Sequence, residues 1–332
     1  MSFDNFDNIN VNMPKSNLFK LILYTILAFV IFALSIFVPF LGILGLALIS
    51  IPSIKLMLEG RIWESIICAL IGSSFLFFID WILPLFFSIL IIGMSFIYLF
   101  CFKKNKNPFL VVILNGILFI ILIAIFLIIL SIIKRQNILV SFMNYYKETI
   151  NTFPNSPFIK QYMQLMSINE TQFNALYEQT KNILLFLPYV IPGLLLVYVF
   201  LSSIINYYWS LLIFKKDKII LRGLPLFQTW DLPWGFVSGI ILGLILIMIP
   251  HFNKYYNFIF NVVGINLLII FGLIYSILGF SVLWGIFDKF HVLILWRILI
   301  IILISFFPIL IILIPVIGII DVWANFRKLE RH

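Results

Sequence analysis

Residues 108–133 read PFLVVILNGILFIILIAIFLIILSII, an apolar run without one charged side chain. A hydrocarbon core about 30 Å thick is crossed by about 20 such residues in a helix rising ~1.5 Å each. Comparable runs recur over residues 18–58, 66–102, 183–214, 235–250, 258–287 and 292–320. In lipid every backbone N–H and C=O must find a partner within the protein, so only helices and closed barrels cross. A barrel would show short alternating segments. These runs are long and unbroken, so they are read as helices.

Composition agrees. Apolar residues make up 63% of the chain and charged residues 11%, against roughly 25% charged in soluble domains. The mean hydropathy is +1.17. The expected fold is all-α, a polytopic transmembrane helix bundle of about eight to ten spans. The net charge of +9 is read as basic connectors facing the cytoplasm and anionic lipid, with no nucleic-acid partner. Ile, Asn, Lys and Phe richness suits an AT-rich bacterial genome, so the expected location is the bacterial cell (inner) membrane, multi-pass.

Residues 1–17 are polar and lack the basic-then-apolar form of a cleaved signal; they are read as a cytoplasmic tail with Lys15 beside the membrane. Residues 18–133 form an expected N-terminal bundle of about five spans. Its first run holds two crossings with a break near Pro39, Gly42 and Gly45, and the second ends at the turn Glu59-Gly60-Arg61. Asp80, Trp81 and Pro84 mark another interfacial turn, and KKNKN at 103–107 is a positive-inside signal. Residues 134–182 are read as an extracytoplasmic loop with short amphipathic helices, or a lid over a cavity. Residues 183–323 form the C-terminal bundle, and 324–332 a basic tail. Within it Pro188 and Pro192 are expected to kink one span, and the run 258–287 is long enough to break at one of its glycines.

The stretch LRGLPLFQTWDLPWG interrupts two apolar runs at residues 221–235. Pro225 and Pro233 forbid a continuous helix, and Trp230 and Trp234 suit headgroup depth. Arg222 and Asp231 pair with each other or with lipid. The segment is read as a membrane-surface anchor or as a docking surface for a cytoplasmic or membrane protein partner, formed by Arg222, Trp230, Asp231, Pro233 and Trp234.

Polar residues inside spans are costly and often functional. Asn115, Asn206, Asn261 and Asn266 either bond helix to helix or line a small-molecule pocket with Tyr207, Tyr208 and Trp209. Arg297 snorkels from the last run. Asp321 pairs with Arg327 or Lys328 beside Trp323, as a clamp on the tail. Cys68 and Cys101 form no CxxC pair, and His251, His291 and His332 stand apart, so neither a metal nor another cofactor is implied. No catalytic motif is present, and the protein is read as non-enzymatic.

QTWDLPWG resembles a W-x-x-P-W element of the YybS-like family of bacterial membrane proteins. GFSVLWGIFDKF, the span bearing Arg297, and PVIGIIDVWANFRK are similar to that family's closing arrangement, with Gly318, Asp321, Trp323, Phe326, Arg327 and Lys328 in the form G-x-x-D-x-W-x-x-F-R-K. ISIPSIKLMLEGRIWES resembles its proline-led helix, with the turn here as Gly60-Arg61. The resemblance implies a distant likeness to the substrate-binding S components of energy-coupling-factor transporters, which bind small solutes and dock through an A-x-x-x-A face. Ala28 and Ala33 stand five apart and do not share that face. The expected function is binding or transport of a small solute; the alternative is a membrane scaffold or regulator in the cell envelope or in sporulation.

Overall fold

A computed structural model describes residues 18–37, 45, 47–166, 169–216, 219, 221–248 and 254–329. The polar start with Lys15, the break near Pro39 and Gly42, and His251 and His332 lie outside the described residues. Among those described there are helices and no strand. They are α1 (Leu18–Phe37), α2 (Ile51–Leu58), α3 (Ile62–Ser73), α4 (Leu83–Lys103), α5 (Pro108–Ile133) and α6 (Ile138–Thr152). Then follow α7 (Pro157–Met166), α8 (Glu170–Lys215), α9 (Val237–Met248), α10 (Lys254–Lys289), α11 (Ile294–Phe306) and α12 (Pro308–Ala324).

Five of these helices, α1, α4, α5, α8 and α10, are long and apolar enough to cross a membrane, and the bent pair α11–α12 makes up to six. That is fewer than the eight to ten expected: among the described residues the apolar stretches Ile62–Phe78 and Trp234–Met248 are too short to count as spans. Ile121, Ile125, Ile128 and Ile132 of α5 are exposed. Side chains of this kind, repeated over whole helix faces, need lipid as their solvent.

Contacts divide the chain into two compact units. One comprises Met1–Phe126 and Tyr198–Leu224, the other Leu127–Val197 and Pro225–His332. In the first unit α1 packs on α3, and α2, α3 and α4 pack on one another. Of the expected second crossing of residues 18–58, positions 38–44 and 46 lie outside the described residues, and its described end is α2, of 8 residues. Ile51–Met57 are all buried, and the Ser53 hydroxyl lies 2.8 Å from that of Ser65 and 3.0 Å from that of Ser95. Ser53, Ser65 and Ser95 therefore tie α2 to α3 and α4, which lets a polar half-helix stand inside the unit. Lys55 of α2 is buried too, its ammonium 5.0 Å from the Tyr24 ring centre. Gly60 turns the chain at φ 81, and Arg61 pairs with Glu64.

In the second unit α10 packs against α9 and α12 around Val237, Tyr275, Leu278 and Val322. The run 258–287, expected to break at a glycine, is one continuous helix of 36 residues. Gly279 serves close packing instead of a break. A Cβ on Gly279 would lie 2.0 Å from the Ile314 carbonyl oxygen, and one on Gly318 2.3 Å from that of Tyr275. Small residues let helix backbones touch in this way.

α8 likewise runs unbroken for 46 residues with Pro188 and Pro192 inside it. A proline leaves the carbonyl four residues earlier without its helical partner. For Pro188 that carbonyl is Leu184, and the Tyr146 hydroxyl of α6 donates to it at 2.9 Å. The polar interval 134–182 contributes α6, α7 and the first turns of α8. Asn137 caps α6 by accepting from the backbone N–H of Leu139 and Val140 at 3.1 and 3.2 Å.

Candidate functional site

Ser202, Asn206 and Ser210 recur at a spacing of four along α8 and are all buried. That spacing sets them on one helix face. The face meets α4 and the start of α2. Asn206 is 0% exposed. Its Oδ1 accepts from the Tyr98 hydroxyl at 2.6 Å, and its Nδ2 donates to the Ala47 carbonyl at 2.6 Å and the Ser50 hydroxyl at 3.0 Å. The amide is thus consumed in holding the entry to α2 against α4. Beside it the rings of Tyr98 and Tyr207 stack at 5.7 Å, and the Tyr207 hydroxyl donates to the Arg222 carbonyl at 2.7 Å.

These tyrosines floor a cleft of about 60 Å³, whose lining includes Cys101, Lys106, Val111 and Arg222. Local chemistry brings Lys106 there. α4 ends in an αL residue, Asn105 at φ 46, and the Lys106 N–H donates back to the Cys101 carbonyl at 2.9 Å. This is the turn that commonly closes a helix. Two cations and no carboxylate line the cleft. With an aromatic floor, that arrangement suits a small group carrying negative charge.

The expected pocket asparagines divide between the two units. Asn206 and Asn115 fall in the first unit, Asn261 and Asn266 in the second. Asn261 approaches Asn257 at 3.5 Å along its own helix. Asn266 splits a helical bond of α8: the Gly193 N–H donates to its Oδ1 at 2.6 Å, while its Nδ2 donates to the Tyr189 carbonyl at 2.8 Å. Asn266 thereby repairs the stretch between the two prolines. Asn115 lines a second, smaller pocket of about 20 Å³ with Met94, Ser202 and Ser203. Tyr208 and Trp209 are exposed.

In the second unit the tail residues meet the segment 225–236. The Arg327 side chain is 3% exposed, and its Nη2 donates to Asp321 Oδ2 at 2.8 Å. Its Nη1 lies 2.8 Å from the carbonyl oxygens of Gln228 and Trp230 and 2.7 Å from the Ser281 hydroxyl. Asp231 stands 3.8 Å from the same guanidinium. Asp321, 0% exposed, also accepts from the Phe326 N–H at 2.8 Å. Arg327 therefore ties this segment to the tail and to α10. Pro233 precedes the short 3-10 turn Trp234–Phe236, Trp230 donates through Nε1 to the Pro225 carbonyl at 3.1 Å, and Trp234, Trp323 and Lys328 are exposed. Arg297 pairs with Asp288 and packs over Trp284.

Sequence reasoning did not pick out Tyr98, Cys101, Lys106 as a cleft residue, the serines around α2, or Ser281 and Gln228. The four-residue spacing of Ser202, Asn206 and Ser210 was the one local signal for any of them. Ser281 and Gln228 lie 46 and 99 residues from Arg327, and no spacing rule joins them.

Comparison with known proteins adds one match. Residues 26–322 match a family described as predicted membrane protein, DUF2232. No curated protein and no solved structure matches the chain. The match covers most of the sequence and agrees with the apolar helices just described, and the chain accordingly belongs to the DUF2232 family of membrane proteins.

Proposed function

We propose that this membrane protein is a non-enzymatic binder, or carrier, of a small molecule bearing an anionic group, and that the cleft of the first unit is its site. The observation that carries the reading is the convergence of Lys106 and Arg222 over Tyr98 and Tyr207, with no carboxylate in the lining. Both cations are exposed, so neither is committed to burial in the fold. In this reading Lys106 and Arg222 hold the charge of the ligand, and the tyrosine pair packs against its apolar part. The Lys103–Lys106 turn faces the cytoplasm by the positive-inside bias, and the membrane is a bacterial inner one.

Phosphate and carboxylate groups come from soluble metabolites and from lipid headgroups alike. The test uses purified full-length protein in neutral detergent. Its thermal midpoint is followed with inorganic phosphate, with a short-chain phosphatidylglycerol, and with a zwitterionic lipid. A saturable rise with phosphate alone identifies a soluble anion. A rise with phosphatidylglycerol alone identifies a headgroup. No rise with either anion, together with no co-purified anion in native mass spectra, contradicts the reading.

A second reading, protein docking on the segment 221–235, draws on Trp234, which is 76% exposed beside the chain that Arg327 holds. It predicts that Trp234→Ala abolishes a specific crosslink to a membrane or cytoplasmic partner while the thermal midpoint stays the same. An unchanged crosslink pattern removes it.

A further inference from the structure

Three asparagines on helices, Asn115 and Asn206 buried and Asn266 half-buried, can be compared by what their amides touch. Asn206 and Asn266 have both amide atoms bonded, to Tyr98 and Ala47 and to Gly193 and Tyr189 respectively. Asn115 is 1% exposed, and neither its Oδ1 nor its Nδ2 has a hydrogen-bond partner. It stands on α5, the candidate span of highest hydropathy at 3.4. An amide left unpaired in such surroundings is a standing cost with no return from the fold.

What Asn115 faces is the void of about 20 Å³ between α4, α5 and α8. That is room for one particle the size of a water molecule. The oxygen-bearing side chains in its lining are Asn115, Ser202 and Ser203, and there is no carboxylate, histidine or lysine. The Ser203 hydroxyl donates to the Val199 carbonyl at 2.9 Å, so its oxygen has lone pairs left for the void. Met94, whose thioether is a weak acceptor, is also in the lining.

We propose that this void is a binding site for one small monovalent cation of sodium's size, held by Asn115 Oδ1 and the hydroxyl oxygens of Ser202 and Ser203. Neutral hard oxygens suit an alkali cation. Without a carboxylate the site cannot offset a divalent charge in apolar surroundings, and without a titratable lining group it cannot exchange the cation for a proton. The site does not rest on what the basic cleft binds. The two share the helices α4, α5 and α8, so the cation braces the walls of the cleft.

The experiment uses purified full-length protein in neutral detergent, with melting measured in sodium chloride, potassium chloride and choline chloride at equal ionic strength. Retention of radioactive sodium is measured on the same samples. The expected result is a saturable rise of several degrees with sodium over choline, a smaller rise with potassium, and about one sodium retained per chain. Asn115→Leu is expected to lose both the sodium shift and the retained ion while melting in choline at or above the wild type, because it removes the unpaired amide. Ser203→Ala, a smaller change, should weaken the sodium response at least tenfold in half-saturating concentration. Equal melting in all three salts with no retained sodium overturns the proposal and leaves the void to a water molecule. A sodium shift that survives in both variants overturns it as well, since the ion would then bind elsewhere.

Discussion

Arg327 and Asp321 form a buried ion pair, 3% and 0% exposed, at the end of the last membrane helix. The guanidinium reaches further, to Ser281 of α10 and to the carbonyls of Gln228 and Trp230. Removing one partner of a buried pair leaves an uncompensated charge and costs roughly 3–5 kcal/mol. Arg327→Ala and Asp321→Ala should therefore each lower the thermal midpoint in detergent severely. Arg327→Lys should not rescue, because one ammonium cannot span the carboxylate and the two carbonyls together. A lysine variant that melts like the wild type would show that charge alone is needed there.

Asn206 offers a second test. Its loss would strand the Tyr98 hydroxyl, the Ala47 carbonyl and the Ser50 hydroxyl in the interior. Each stranded group costs about 1–3 kcal/mol. Asn206→Leu is expected to destabilise the protein, and Tyr98→Phe only partly, since Oδ1 is then the one group left open. Melting of the two single variants and the double variant should reveal coupling between them; additive effects would contradict a shared network.

The proline stretch of α8 predicts a local change. Asn266→Leu removes the amide that bonds Gly193 and Tyr189. Backbone hydrogen exchange at Gly193 should then accelerate at least tenfold, while exchange in the last turns of α8 stays unchanged. Uniform exchange along α8 in the variant would show that the helix needs no such support.

Gly279 faces the Ile314 backbone at a distance no Cβ can occupy. Gly279→Ala must push α10 and α12 apart, and overpacking of this kind costs about 1–3 kcal/mol. The variant is expected to melt lower, and Gly272→Ala, which meets nothing within 4 Å, to melt at or slightly above the wild type. Equal melting of the two variants would contradict the close approach.

The sequence made the apolar runs plain, because a bilayer tolerates little else over such lengths, and it made the turns between helices plain through Gly60, Asp80 and KKNKN. It did not show where α2 sits: Ile51–Leu58 is apolar, and only Ser65 of α3 and Ser95 of α4 meeting Ser53 reveal that it is buried inside the unit. It misread the glycines of α10, since a glycine that breaks a helix and one that admits a neighbouring backbone look alike in one dimension. Asp321 and Arg327 stand six residues apart, near enough for their opposite charges to be noticed. The partners of Arg327 across the fold were not legible. The four asparagines also looked equivalent, and three-dimensional contacts alone separate the bonded Asn206 and Asn266 from the open Asn115.

The reading of the cleft is tested most directly by native mass spectrometry of the full-length protein beside a Lys106→Ala, Arg222→Ala double variant. Both side chains are exposed, so the variant should fold and melt near the wild type. The account predicts an anionic small molecule or lipid retained by the wild type and lost, or weakened at least tenfold, in the variant. Equal retention of the same anion by both proteins would contradict it.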